Sequence, residues 1–152
     1  GVTAFFLADD LGSASAAARA AIEAGRAIGL AAETLVGDLE RDHGPLAAGE
    51  VHMNVGVHWG GALYLGQIVT GGRLEVTALG DEVNEAARIQ QSARDGALLA
   101  SKSLLERLEP DDAAAIGLDP DRIRYRMLAE LDGATDKARR DAGSVAVTTI
   151  TP

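Results

Sequence analysis

The apolar residues of this chain change period once, and that change limits the folds open to it. From Ala18 through Ile22, Ile28, Ala32, Leu35 and Leu39 they recur at roughly helical spacing, one stripe along one long helix. Ser13 stands where an N-cap is needed, and Pro45 closes the segment. Gly29 and Gly37 weaken the helix and mark places where it could kink or split. Across residues 50–57 the spacing falls to two, with Val51, Met53, Val55 and Val57 on one side, which predicts a strand with one buried face. The chain must therefore pack helices on a sheet.

The remaining segments extend that pattern. The apolar run over residues 2–7 reads as a buried strand closed by Asp9, Asp10 and Gly12. Residues 62–69 read as a strand hairpinned to residues 50–57 across Gly60 and Gly61, and Leu74, Val76 and Ala78 as a third strand. Residues 80–94 read as a helix turning Val83, Ala86, Ala87 and Ile89 inward, and residues 98–100 as a buried strand. Ser101 caps a short helix through Leu108, and Pro110 opens another. Residues 125–131 and 145–150 read as strands, with residues 132–143 an exposed polar loop between them. The order is β-α-β-β-β-α-β-α-β-β, an α/β mixture of the α+β kind, in one domain of 152 residues.

Composition narrows the function classes. Hydrophobic residues are 47% but aromatics only 3%, so the core is built from Ala, Val, Leu and Ile at close helix–sheet contact. A net charge of -9 opposes broad nucleic-acid binding, while leaving room for a few arginines to grip a nucleotide. Cysteine is absent, which removes disulfides, thiolate metal sites and a Cys nucleophile, and fits a cytoplasmic location. No run reaches the ~18 apolar residues of a membrane span, and no basic residue precedes the apolar start as a secretory signal requires. Arg far outnumbers Lys, which with the high Ala content fits a GC-rich bacterial genome. No Walker-type loop, Gly-x-Ser-x-Gly or His-Glu-x-x-His is present.

One segment carries a specific signature. Val55-Gly56-Val57-His58-Trp59-Gly60 is followed by Gly66, and then by the run from Leu74 to Ile89, which contains Gly80-Asp81-Glu82-Val83-Asn84-Glu85-Ala86-Ala87-Arg88. This resembles the class III adenylate and guanylate cyclase homology domain, in which a Gly-Ile-His-x-Gly strand end precedes a Gly-Asp turn and a Val-Asn-x-Ala-Ala-Arg helix. The strand from Gly96 to Ser101 and the helix from Leu104 to Leu108 also match, and the resemblance covers roughly residues 1–131. Gly80-Asp81-Glu82-Val83 echoes the diguanylate cyclase hairpin only superficially, because here it opens a helix. Trp59 departs from the small or polar residue usual at its position.

The resemblance implies a ferredoxin-like, palm-type cyclase fold: a mixed, mostly antiparallel sheet with helices packed on it. It also implies formation of 3′,5′-cyclic AMP, or less readily cyclic GMP, with pyrophosphate release at the interface of a homodimer or a cyclase-domain pair. Two Mg²⁺ or Mn²⁺ ions would serve the attacking ribose 3′-oxygen and the leaving charge. Asn84 and Arg88 match the family's catalytic Asn and Arg, an amide to orient the ribose and a guanidinium for developing phosphate charge. Four residues apart, they share a helix face. Thr77 matches the base-recognising position and favours adenine. Each also has an ordinary reading: Asn84 as a solvated polar residue, Arg88 as a surface partner of Glu85 or Glu82, and Thr77 as a β-former. His58 reads as structural.

The metal-binding half is where the match thins. Residues 1–6 align with the strand just after the family's second metal Asp, which places both metal ligands and the adenine-reading Lys upstream of Gly1. A second alignment makes Asp9 a metal ligand and Gly37-Asp38 the hairpin turn. The family's Lys-Gly-Lys loop is replaced by basic residues Lys137, Arg139 and Arg140, open to phosphate contact or to solvent alone.

Overall fold

A computed structural model describes residues 1–47 and 51–151, and for residues 68, 70 and 73–77 the backbone alone. Two short and long helices open the chain, α1 (Ala8–Leu11) and α2 (Ala14–His43). Next come β1 (Val55–Val57), β2 (Tyr64–Thr70), β3 (Arg73–Leu79), α3 (Asp81–Ser92) and β4 (Leu98–Ser101). The order continues with α4 (Lys102–Leu105), α5 (Pro110–Ala115), β5 (Arg126–Met127), α6 (Asp136–Ala142) and β6 (Ala146–Ile150). The fold is α+β: a four-stranded sheet in the order β1-β4-β6-β5, and a separate β2–β3 hairpin. β1 runs parallel to β4, while β6 is antiparallel to both β4 and β5. A parallel pair needs a crossover, and the β2–β3 hairpin with α3 supplies it.

The period of two in β4 sorts the core into two layers. Leu98 and Ala100 face Ala18, Ala21 and Ile22 of α2, together with Leu104, Leu105, Ile116 and Ile150. Leu99 points the other way, to Ile89 and Ala93 at the end of α3, Ala138 and Ala142 of α6, Leu128 and Val147. The sheet is therefore covered on both faces, as its uniformly buried β4 requires. Small residues set the spacing. Val55 and Val57 pack on the α2 side. Between them, Gly56 faces α3, where an added Cβ would lie 2.5 Å from the Gln90 backbone nitrogen. Trp59 also packs on the α2-side core, with the Arg107 guanidinium 5.3 Å from its ring centre.

Ser13 caps α2 as expected, its Oγ accepting from Ala16 N–H at 3.0 Å. The helix runs unbroken through Gly29 and Gly37. Nothing would crowd a Cβ at either glycine, so neither marks a close approach or a break. The expected strand over residues 2–7 is not formed. Among the described residues no strand pairs with it, Val2 and Phe5 stay exposed, and Phe6 alone of the run packs on the core. Of the strand expected over residues 50–57, residue 50 lies outside the described residues and regular pairing begins at Val55, where Val55 N–H meets Ala97 O at 3.0 Å. Its partner is β4 and not residues 62–69; the hairpin forms instead between β2 and β3 across Gly71 and Gly72, which take the positive φ such a turn needs.

Two further expectations are corrected near the C-terminus. Residues 125–131 hold a strand only at β5, because Met127 N–H turns to the Glu130 carboxylate at 3.2 Å and the chain coils into a short 3-10 turn (Leu128–Glu130). The segment 132–143 is no loop. Thr135 caps α6, its Oγ1 accepting from Ala138 N–H at 3.1 Å, and Ala138 and Ala142 bury one stripe of an otherwise charged helix. No helix among the described residues is long and apolar enough to cross a membrane.

Candidate functional site

Two helix stripes face each other across an open cleft of about 510 Å³ lined by Asp81, Asn84, Glu85, Arg88, Lys137 and Asp141. The first four stand at i, i+3, i+4 and i+7 of α3, one helix face; Lys137 and Asp141 stand at i and i+4 of α6. Gly80 positions the stripe. Its φ of 132° lets β3 turn directly into α3, and its carbonyl accepts the Asn84 N–H at 3.3 Å. The Ala138 and Ala142 stripe of α6, packed in the same core layer as Ile89 and Ala93, holds the second wall.

The charges on these walls are arranged in pairs. Arg88 is only 9% exposed, though it lines the cleft. Its Nη1 donates to the Gln91 side chain, and its Nε lies 3.5 Å from Asp141 Oδ2. That separation is an ion pair without a directed hydrogen bond, so the buried Nε–H is left without one. Asp141 Oδ1 also accepts from Arg140 Nε at 2.8 Å. The Arg140 contact, helped by the charges of Arg88 and Lys137, holds the Asp141 carboxyl below its ordinary pKa. His58 Nε2 lies 3.0 Å from Oε2 of the cleft-lining Glu85, yet neither ring nitrogen makes a well-directed hydrogen bond. Burial pushes the imidazole down, against the opposing charges of Glu85 and Glu82.

Asn84 and Arg88 are thus brought together on one wall, with Asn84 exposed and making no hydrogen bond from its side chain among the described residues. Thr77 falls in β3 opposite Gly66, and its side chain lies outside the described ones. Arg88 does not pair with Glu85 or Glu82; Glu85 turns to His58, and Arg88 reaches across to α6. Of the three basic residues expected near phosphate, Lys137 lines the cleft, while Arg139 donates to Leu131 O at 3.1 Å and Arg140 to Asp141. Asp9 is exposed on α1, and Gly37 and Asp38 are helical, so the alignment that needs a turn there is not met. Sequence reasoning passed over Asp81, Glu85 and Asp141. The i, i+3, i+4, i+7 spacing of polar residues along α3 was the available signal for the first two.

The metal pair implied by the resemblance needs several carboxylates gathered at one point. Among the described residues no three His, Asp or Glu side chains gather so as to hold a metal ion. Glu85 is engaged by His58, and Asp141 by two arginines. These residues do not fit that ion pair. Beside the carboxylates of Asp81, Glu85 and Asp141, the cleft presents an amide, a buried guanidinium and an ammonium, donors suited to a ribose and a phosphate. No family model and no curated protein matches the chain.

Proposed function

We propose that this chain is a nucleotidyl cyclase-type domain that supplies the phosphate- and ribose-gripping half of a composite site. The reaction is attack of the ribose 3′-oxygen of ATP, or less readily GTP, on the α-phosphorus, with pyrophosphate leaving. The observation that carries this reading is the placement of Asn84 and Arg88 on one face of α3, opening into a single cleft with Lys137. The Asn84 amide can orient the ribose. Arg88, poorly hydrated and preorganised, can meet charge that grows on the phosphate in the transition state. The cleft is open to solvent, so a cyclase-domain partner that carries its own carboxylates would close it and supply the ligands for Mg²⁺ or Mn²⁺, whereas a second copy of this chain would close it without adding such a group from among the described residues.

A second reading has its own support. Glu85 and Asp141 are already engaged by His58, Arg88 and Arg140, which suits a module that binds nucleotide without turning it over. One experiment separates the two. Cyclic nucleotide formation from ATP and GTP is measured with Mn²⁺, alongside calorimetric binding of a non-cyclising ATP analogue. Turnover that Asn84→Ala and Arg88→Ala each lower by a factor on the order of 10² supports the enzyme. Binding without turnover, lost in Arg88→Ala, supports the module. Neither turnover nor binding, or indifference to both substitutions, ends both readings.

A further inference from the structure

We propose that Asp141 is a positioning residue: from α6 it holds the Arg88 guanidinium of α3 in place, so that a nucleotide phosphate meets a side chain already oriented. This rests on the reading of the cleft given above and adds a residue that the resemblance did not supply.

The argument starts from what a free arginine costs. Several rotatable bonds must be frozen when it grips an anion, and that ordering lowers affinity unless it has been done beforehand. Arg88 is held before any ligand arrives. Gln91 takes Nη1 from within α3, and Asp141 Oδ2 sits 3.5 Å from Nε across the helix–helix boundary. Nη2 alone has no protein partner among the described residues, and it belongs to a side chain on the cleft wall. The Gln91 contact is local to α3 and fixes only one end of the guanidinium. Asp141 sets its plane against the second wall.

A carboxylate beside a phosphate site would ordinarily repel the ligand. Here the two oxygens of Asp141 are divided between two arginines, Oδ1 to exposed Arg140 at 2.8 Å and Oδ2 to buried Arg88. Arg140 offsets part of the Asp141 charge from the solvent side, and Lys137 adds a second cation to a cleft that Asp81 and Glu85 also line. At 3.5 Å the buried Arg88 Nε–H makes no directed hydrogen bond to Asp141, so the carboxylate holds the guanidinium by charge.

The test is a double-mutant cycle on the whole chain, with α,β-methylene ATP and Mn²⁺ as the probe. Asp141→Asn, close in shape, is expected to weaken binding roughly tenfold and to add little in an Arg88→Ala background, because coupled residues fail to add. Asp141→Glu, which keeps the charge, is expected to retain most of the affinity. Unchanged or tighter binding in Asp141→Asn, or an equal loss with and without Arg88, overturns the proposal. A ligand-free readout accompanies it: the ¹⁵N–¹H signal of Arg88 Nε is expected to move in Asp141→Asn while backbone signals outside α3 and α6 stay in place. A stationary Arg88 signal overturns the proposal whatever the binding data say. Should the wild-type chain bind no nucleotide while that signal moves, the functional reading fails and the hold of Asp141 on Arg88 stands.

Discussion

His58 is nearly enclosed between β1 and α3, with a carboxylate beside it and no directed hydrogen bond on either ring nitrogen. Burial holds its pKa below the ordinary 6.5, and Glu85 and Glu82 offset only part of that. The folded state therefore binds this proton more weakly than the unfolded chain. Its contribution to stability is complete above pH 6.5 and is lost as pH falls from there through the lowered folded value. Thermal midpoints taken from about pH 7 down to about pH 5 should decline, and His58→Gln should flatten that decline. Asp112, lowered chiefly by the Ser15 hydroxyl, and Asp141, lowered chiefly by Arg140, act in a more acidic window below 3.8. On the cleft wall, Asn84→Ala is expected to leave these midpoints near the wild type, since Asn84 is exposed, whereas Arg88→Ala, which removes a buried guanidinium paired to Asp141, is expected to lower them. Side-chain partners across elements were not legible in the sequence. The local candidates for Arg88 were Glu85 and Glu82, and the actual one, Asp141, comes from a helix that charge density disguised as a loop.

At the scale of elements, the clearest signals were those with a strict period. The start of the α2 stripe, Ala18 and Ile22, and the α3 helix after Gly80 were readable from helical spacing, and β4 from a short apolar run buried on both faces, whereas Ile28 and Leu35 of the expected stripe and Ala87 of α3 are exposed. α6 was missed because its inward stripe is only Ala138 and Ala142, two methyls in a heptapeptide of acids and bases. The apolar run at residues 2–7 failed in the opposite sense: strand-forming residues need a partner edge, and none among the described residues pairs with them. The pairing of β1 was misassigned because a parallel ladder leaves no turn signature between neighbours in sequence. Its decisive residue is Gly56, where α3 lies directly on the strand. Gly56→Ala drives a methyl into the Gln90 backbone, at 2.5 Å from its nitrogen, and must move the helix as a body. Overpacking of this kind costs about 3 kcal/mol, read as a drop in the denaturant midpoint. The same displacement should weaken nucleotide binding, since α3 carries four of the six cleft residues.

For the molecule as a whole, stability is unevenly placed. The buried residues of α2 all fall between Ser15 and Gly25, and the rest of the 30-residue helix runs on with Leu30 and Leu35 more than half exposed. Local opening is easiest where few apolar contacts hold the backbone. Hydrogen exchange should therefore be slowest in β4, β6 and residues 15–25, and markedly faster in residues 26–43. Uniform protection along α2 would show that its outer half is covered in solution. The α+β class followed from the sequence. The composite cleft did not, because it is assembled from α3 and α6, elements separated by β4, α4, α5 and β5.

The chain contains one tryptophan, and its neighbours make it useful. Trp59 follows His58 directly, packs on the core with the Arg107 guanidinium over its ring, and stands one residue from the imidazole that meets Glu85 of the cleft helix. Its emission therefore comes from a single environment, so the molecule carries its own label-free optical gauge of the strand end that meets α3 through His58 and Glu85.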